Sequence, residues 1–299
     1  MSDTKITVVI PALNEENAIG ETVTTLKKVL DKAGLAGSEI LVVNDGSTDQ
    51  TRQIAEKNGA RVVSHIYNIG YGRSLKDGIL AASNDTIVIT DADGTYPLDR
   101  IPDLLKEYQK GFHMIVGKRE GAHYRESLFK MPLRRILRFI VEFTAGSKIP
   151  DINSGLRVFS KKDITPYFEQ LCNTFSFTTS VTLAYFMTGK FVGYIPIDYH
   201  QRVGSTKVKL FKDALRTLQY ILQAVLYFNP IKLFMLLCGL TLTFSFLCLV
   251  AALITGLTIA YILGVGGILI TLVIFSIGLV ADQLRQLLIK HNVGVTVKE

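Results

Sequence analysis

Charge is what one long part of this chain lacks. Of its 299 residues, the 49 from 233 to 281 include no Asp, Glu, Lys, Arg or His. A run of that length excludes a wholly soluble globule, and it excludes disorder, which goes with few apolar residues and high net charge. Cysteine is scarce as well. Cys172, Cys238 and Cys248 form no CxxC pair, and two of them lie inside the uncharged run. They supply neither a disulfide framework nor a zinc set with histidine, so a reducing compartment is the default. No GxxxxGK[ST] phosphate loop occurs, which disfavours nucleotide hydrolysis by that route. Near the start, residues 6–10 are too few for a signal-peptide core and are broken by Pro11, so they read as a first strand.

What is present is apolar and basic. Hydrophobic residues make up 48% of the chain and charged residues 20%, with mean hydropathy +0.30. An ordinary soluble domain is about 25% charged. The 232 residues before the uncharged run are enough to bury a core of their own. The net charge is +7, and the excess gathers in two places. Residues 101–150 carry 10 Lys and Arg against 5 Asp and Glu, and residues 201–232 carry 6 against 1. A pI near 9.2 is compatible with nucleic acid. A basic belt beside an apolar run instead points to anionic lipid, so the partner expected is the membrane and no nucleic acid.

A membrane-spanning helix needs about 20 apolar residues, so the run fits two spans, 231–254 and 258–281, turning at Thr255-Gly256. One broken span with a buried core helix is the alternative, and its length fits less well. Lys207, Lys209, Lys212, Arg216 and Lys232 precede the first span, Arg285, Lys290 and Lys298 follow the second, and the turn carries no charge. Lysine and arginine favour the cytoplasmic side, which makes both termini and the preceding domain cytoplasmic in an integral membrane protein. Residues 213–228 repeat leucine and valine at helical spacing beside basic residues, as an interfacial helix would. A plain core helix has the same pattern. The organisation expected is therefore a catalytic-type domain at 1–210, an amphipathic helix at 211–230, two spans within 231–281 and a cytoplasmic tail at 282–299. Small residues at Gly264, Gly266 and Gly267 are compatible with a homo-oligomer through close helix packing.

In the first two hundred residues short β-rich runs alternate with helical patterns. The strands are expected at 6–10, 40–44, 61–65, 86–90 and 112–116, with helices near 15–33, 48–58, 72–82 and 99–110. Such alternation implies an α/β domain with a mostly parallel sheet, whose ligands bind beyond the carboxyl ends of the strands. The residues that follow the strands are therefore the informative ones. They are Pro11-Ala12-Leu13-Asn14-Glu15-Glu16, then Asp45-Gly46-Ser47-Thr48-Asp49, then Asn68 and Gly70, then Asp91-Ala92-Asp93. Each set alone can be a turn or a helix cap. Four such sets on one edge form a site. Asp91 and Asp93 are hard oxygen ligands for magnesium or manganese, a divalent cation of the kind that also binds substrate phosphates. Basic residues crowd 118–138, where Arg134, Arg135 and Arg138 lie on an amphipathic helix. There a solvated face or bilayer contact competes with phosphate binding, for which Arg134 is the candidate. Arg119, at a strand end, and Arg157, after Asn153-Ser154-Gly155, are expected to reach a phosphate, because a guanidinium fork matches its oxygens.

Taken together, IPALNEEN at 10–17, VVNDGSTDQT at 42–51, NIGYGRSLKDGI at 68–79 and TDADGTYP at 90–97 resemble a family 2 glycosyltransferase of GT-A fold. VGKR at 116–119, DINSGLRVF at 151–159 and the stretch Arg202…Ser205…Lys207 resemble its polyprenyl-phosphate sugar synthase branch, which includes dolichyl-phosphate mannose synthases and undecaprenyl-phosphate glucosyltransferases. The likeness spans about residues 5–210 and continues, less specifically, in the apolar hairpin. It implies a GT-A Rossmann-like domain with a C-terminal transmembrane hairpin. It also implies metal-dependent, inverting transfer of a hexose from a UDP- or GDP-sugar to a polyprenyl phosphate at the cytoplasmic membrane face.

Carried over residue by residue, the resemblance puts Pro11, Leu13, Glu15, Val43 and Asp45 around the nucleoside. It adds Ala12, Ser47, Gly70, Arg202 and Lys207 to the nucleotide site. Asp91, Ala92 and Asp93 lie along the diphosphate, with Asp93 the main metal ligand and a catalytic group. Asp151 is its candidate for orienting or deprotonating the acceptor, and a turn cap after Pro150 explains that residue equally well. Where some relatives place a glutamine ligand two residues after the second aspartate, this chain has Thr95. The QxxRW motif of processive relatives is absent, which disfavours polymerisation. The same chemistry on another lipid acceptor is one alternative. A catalytically silent, membrane-anchored nucleotide-sugar binding subunit is another, and the intact Asp91, Asp93, Asp151 and Arg157 argue against it.

Overall fold

Strand β1 (Ile6–Ala12) is flanked in register by β2 (Glu39–Asn44) and β4 (Thr86–Ile89), both parallel to it, and β3 (Arg61–Ser64) extends the parallel set beyond β2. The computed structural model describes residues 5–121, 139, 141–143, 146–174, 176–201, 218–219, 222–223, 225–227 and 229–296, with side chains in the last helix to residue 287. The described residues form a seven-stranded sheet in the order β3-β2-β1-β4-β6-β5-β7. β6 (Arg157–Ser160) is inserted antiparallel between β4 and β5 (Met114–Glu120), and β7 (Val192–Asp198) runs parallel to β5 at the edge. The sheet is mostly parallel, as the alternating pattern implies.

Helices cover both faces. Helix α1 (Ile19–Lys32) forms because Ile19, Val23, Leu26 and Leu30 recur on one side, and all four are buried. They meet Ile6, Val8 and Ile10 of β1, and α4 (Ile101–Tyr108) adds Ile101, Leu104 and Leu105 to the same core. On the opposite face α3 (Tyr71–Ala81) comes so close that a methyl group on Gly78 would strike Val9 and Val43. Helix α2 (Thr51–Lys57) precedes β3, and the short α5 (Lys161–Ile164) and α6 (Phe177–Met187) follow β6.

Three differences from the sequence reading bear on the site. Helix α1 starts at Ile19 rather than at residue 15, because the loop before it is bonded sideways. Asn14 N–H donates to Ser47 Oγ, Glu15 N–H to Thr51 Oγ1, and Thr48 N–H to the Asn14 side chain. β5 continues to Glu120, so Arg119 lies within the strand, toward its carboxyl end. β6 and β7 are additional strands.

By contact the chain divides into two units. One comprises Met1–Arg138 with Ser147–Ile221, the other Phe139–Gly146 with Leu222–Glu299. The second contains α7 (Pro230–Thr255) and α8 (Thr258–Thr296), antiparallel neighbours joined at Gly256-Leu257. Gly256 takes φ 70°, a left-handed cap that glycine adopts without strain, and its N–H donates to Ala252 O. Both helices are long and apolar enough to cross a membrane, with mean hydropathy 2.4 and 2.5 in the most apolar 18-residue stretches of 230–255 and 258–287. In their most apolar stretches only 11% and 17% of residues are buried, whereas a core helix of a soluble protein would be mostly buried. Where a tail is expected from residue 282, the described helix continues to Thr296. The interfacial helix expected at 211–230 falls largely outside the described residues.

Small side chains bring α7 and α8 together. A methyl group on Gly264 would strike Leu249, and one on Gly267 would strike Ser245. Thr241 and Thr271 share a hydrogen bond of 2.7 Å between them. Two of the three glycines considered for oligomer contacts are thus spent inside the hairpin, while Gly266 faces open space. Replacing Gly267 by leucine is expected to cost about 1–3 kcal/mol through overpacking. Gly266→Leu is expected to stay within about 0.5 kcal/mol. Thermal melting of the two variants in detergent checks the contrast.

Candidate functional site

Parallel pairing delivers the carboxyl ends of β1, β2 and β4 to one edge, and a cavity of about 660 Å³ opens there. That volume suits a small-molecule ligand. The loop after β1 forms one wall through Pro11, Ala12, Leu13 and Glu15. Asp45 and Gly70 form a second part of the wall, and Asp91, Ala92 and Asp93 form a third. Arg119 reaches the cavity from β5. Most of the residues anticipated from the strand ends are therefore brought together.

Asp45 is a tie point, with its side chain 5% exposed. Its Oδ1 accepts the Ile69 N–H at 3.0 Å and lies 2.8 Å from His65 Nδ1, and its Oδ2 accepts the Gly70 N–H at 3.0 Å. The carboxylate thereby clamps the turn between β3 and α3. That turn is also wedged from behind. Methyl groups on Gly70 and Gly72 would strike the backbone of residues 172–174, and Lys76 Nζ donates to Leu171 O and to the Asn173 side chain, both at 2.6 Å. Tyr71, between those two glycines, is thus fixed in the cavity wall.

Asp91 and Asp93 each accept hydrogen bonds at Oδ1. Tyr71 OH donates to Asp91 Oδ1 at 2.8 Å. Burial, reinforced by the Asp91 charge, pushes the Tyr71 phenol well above its ordinary range, so it stays a donor. Gly155 packs against the same carboxylate closely enough that a methyl group there would strike it. Thr95 donates both its N–H, at 3.2 Å, and its hydroxyl, at 2.6 Å, to Asp93 Oδ1. Thr95 therefore serves here as a brace on Asp93. Among the described residues no group of three His, Cys, Asp or Glu side chains is placed to hold a metal. The donor set fits magnesium or manganese held by two carboxylates, with substrate oxygens and water completing the shell.

Asp151 and Arg157 are placed differently from the sequence reading. Arg119 grips Asp151 with both prongs, Nε to Oδ2 and Nη2 to Oδ1, each at 2.8 Å, and adds its backbone N–H at 3.1 Å. Burial disfavours the charged Asp151, but the Arg119 fork outweighs it and holds the carboxyl below its usual range. Asp151 is absent from the cavity wall and orients Arg119. Arg157 is 0% exposed and does not reach the cavity either. Its Nε donates to Ser154 O, its Nη2 to Ile152 O and its Nη1 to Thr182 Oγ1. Instead of meeting an acceptor phosphate, it pins the loop that carries Asp151.

Two nucleotide-site residues also lie elsewhere. Val43 is buried against Gly78 of α3, because its side chain points to a sheet face and not past the strand end. Ser47 supports the Asn14 loop from outside the wall. Arg134, Arg202 and Lys207 lie outside the described residues. The wall includes Tyr71, Ser74, Tyr96, Thr178 and Tyr199, none of which the sequence reading singled out. Tyr96 and Tyr199 meet edge-on at 5.4 Å, and the Arg119 guanidinium lies 5.5 Å from the Tyr199 ring centre. Tyr71 of NIGYGRSLKDGI and Tyr96 of TDADGTYP lay within the quoted motifs without being singled out.

The family model described as glycosyl transferase family 2 matches residues 7–168. A dolichyl-phosphate hexose transferase of Haloferax volcanii is 30% identical over 208 residues, covering 69% of this chain and 87% of that protein. An undecaprenyl-phosphate 4-deoxy-4-formamido-L-arabinose transferase of Salmonella paratyphi B is 26% identical over 240 residues, covering 78% and 71%. Among solved structures, glucosyl-3-phosphoglycerate synthase from Mycobacterium tuberculosis with Mn2+, UDP-glucose and phosphoglyceric acid has a TM-score of 0.62. At 21% identity, over 74% of this chain and 79% of that one, it shares the fold.

The Arg119–Asp151 pair makes a stability prediction. Asp151→Asn leaves a largely buried guanidinium without its counter-charge and is expected to cost on the order of 3 kcal/mol at pH 7. Because the folded carboxyl is depressed, its contribution is present above the unfolded value near ~3.9 and is lost as pH falls through the lower folded value. The gap in melting temperature between wild type and variant should be full at pH 7 and close on acidification below pH ~4.

Proposed function

The chain belongs to glycosyl transferase family 2, and from that premise we propose that it transfers a hexose from a nucleotide diphosphate sugar to a polyprenyl phosphate. Transfer takes place with inversion, at the cytoplasmic face of a membrane that the α7–α8 hairpin spans. One observation carries the reading: a carboxylate pair and a buried-paired arginine share a single cavity in a chain that also holds an apolar hairpin. Two relatives whose names specify dolichyl-phosphate and undecaprenyl-phosphate support the acceptor class.

Asp91 and Asp93 would hold a magnesium or manganese ion together with the diphosphate. A bound cation supplies neutralisation of the charge that grows on the leaving diphosphate. The chain's own residues do the positioning. Thr95 and Tyr71 fix the two carboxylates in advance, so little reorganisation is needed when the donor binds. Arg119, held by Asp151, presents positive charge to the acceptor phosphate. An oxygen of that phosphate bonds to the anomeric carbon from the face opposite the nucleotide, and the bond from that carbon to the diphosphate breaks with its electron pair. A phosphate monoester is already largely ionised near neutral pH, with its second pKa at about 6. The step therefore needs no strong base, and Asp151 is left to its structural pairing.

The test is incubation of the purified protein with polyprenyl phosphate and a panel of nucleotide sugars, with mass spectrometry of the lipid. A hexosyl phosphodiester of the lipid is expected. Asp93→Ala should lower its formation by about a hundredfold or more while the protein stays folded. Undiminished turnover by that variant, or by wild type in excess chelator, removes the cation from the mechanism.

Orientation is tested separately. The basic residues on either side of the uncharged run support an orientation with the Gly256 turn outside and both termini inside. In intact cells, an impermeant thiol reagent should label a Thr258→Cys probe more readily than a Lys298→Cys probe, in a background without the native cysteines. The reverse ranking inverts the topology.

A further inference from the structure

The cavity presents carboxylates at two separate places, and they cannot do the same work. Asp45 follows β2 and Asp91 follows β4, with β1 between them. Their backbones are therefore about two strand spacings, ~10 Å, apart. Asp91 and Asp93 suit the diphosphate once a cation is shared. The described groups bonded to Asp45 include no lysine or arginine, so a diphosphate there would be repelled. A carboxylate in that place instead accepts N–H groups, and in a nucleotide sugar these lie on the base. This step rests on the proposed use of a nucleotide sugar.

The number of N–H groups that Asp45 can still accept is set by what already occupies it. A carboxylate offers about four acceptor positions, two on each oxygen. Oδ1 takes the Ile69 N–H at 3.0 Å and His65 Nδ1 at 2.8 Å, which fills it. Oδ2 takes the Gly70 N–H at 3.0 Å, which leaves one position. His65 must donate through Nδ1, because an ionised carboxylate only accepts. On its other side Nε2 lies 3.3 Å from Asp77 Oδ2 without forming a hydrogen bond, and Asp77 is paired with Arg73 at 2.9 Å. The imidazole is only 12% exposed, and its one hydrogen bond among the described residues, through Nδ1, is to Asp45.

Uracil and guanine make different demands on such a partner. Uracil offers one N–H on its pairing edge, flanked by two carbonyls. Guanine offers two adjacent donors, N1–H and the N2 amino group, which together match both oxygens of a carboxylate. With Oδ1 filled, one guanine donor would be buried without an acceptor, an unfavourable outcome. We propose that His65 is a specificity-determining residue: by occupying Asp45 Oδ1 it reduces the carboxylate to a single-donor acceptor, which selects a uridine diphosphate sugar over a guanosine diphosphate sugar.

The experiment is calorimetric titration of the full-length protein in detergent with UDP and with GDP, both with manganese present. Wild type is expected to bind UDP about tenfold or more tightly than GDP, the scale of one unpaired buried donor. His65→Leu removes the N–H and reopens Oδ1, and should narrow that ratio by about tenfold. His65→Asn returns an amide N–H close to the place of Nδ1 and should keep the wild-type ratio. A purely structural role for His65 would weaken both nucleotides together and leave the ratio unchanged, which overturns the proposal. Wild-type preference for GDP overturns it too, while leaving the glycosyltransferase reading intact. Binding of neither nucleotide overturns both.

Discussion

Three carboxylates on one sheet edge repel one another, and a cavity that holds Asp45, Asp91 and Asp93 exists only because each is tied down separately. Asp45 is paid for by two backbone N–H groups and His65, Asp91 by the Tyr71 hydroxyl, and Asp93 by both donors of Thr95. These bonds fix which oxygen faces the ligand. The surrounding architecture supplies the donors: the wedge of Gly70 and Gly72 against residues 172–174 carries Tyr71 to Asp91, and the turn before α3 carries two N–H groups to Asp45. Carboxylates tied to donors of the fold itself form a preorganised frame, the condition under which fixed dipoles and charges act most strongly.

What could be read from the sequence follows from what the strand rule covers. In a parallel sheet the residues just after each strand share one edge, so Pro11–Glu15, Asp45, Gly70 and Asp91–Asp93 could be gathered without coordinates. Val43 shows the limit of that rule. It is the second-last residue of β2, and alternation turns its side chain toward α3 and not past the strand end. Tyr71, Thr178 and Tyr199 were not legible, because each reaches the cavity through packing of segments far apart in sequence. β6 escaped because four residues beginning with an arginine show no alternating pattern. β7 has a proline and little burial, as an edge strand does.

Arg157 illustrates why residue type and position alone mislead. An arginine after Asn-Ser-Gly reads as a phosphate ligand, and a guanidinium fully buried with no carboxylate bonded to it among the described residues is costly. Its cost is offset by three acceptors at 2.7–2.9 Å, two of them carbonyls of the loop it pins. That loop is bonded along its length: Asp151 to Arg119, Asn153 to Thr179, Gly155 to Tyr96. The loop therefore connects both functional parts of the wall, touching Asp91 through Gly155 and Arg119 through Asp151.

The pairing of Asp151 also bears on the chemistry. A carboxylate gripped by both prongs of Arg119 and held below its usual pKa is a poor proton acceptor, since its basicity has been spent on the ion pair. A hydroxyl acceptor would need a base at that point. A phosphate monoester would not, because it arrives ionised, and its requirement is a positive group to hold it against a negatively charged donor. Arg119 is the group we propose for that role, and its orientation depends on the same Asp151 contacts that make Asp151 a poor base. The ion pair thus fits an acceptor that brings its own negative charge, and it fits poorly with one that must first lose a proton.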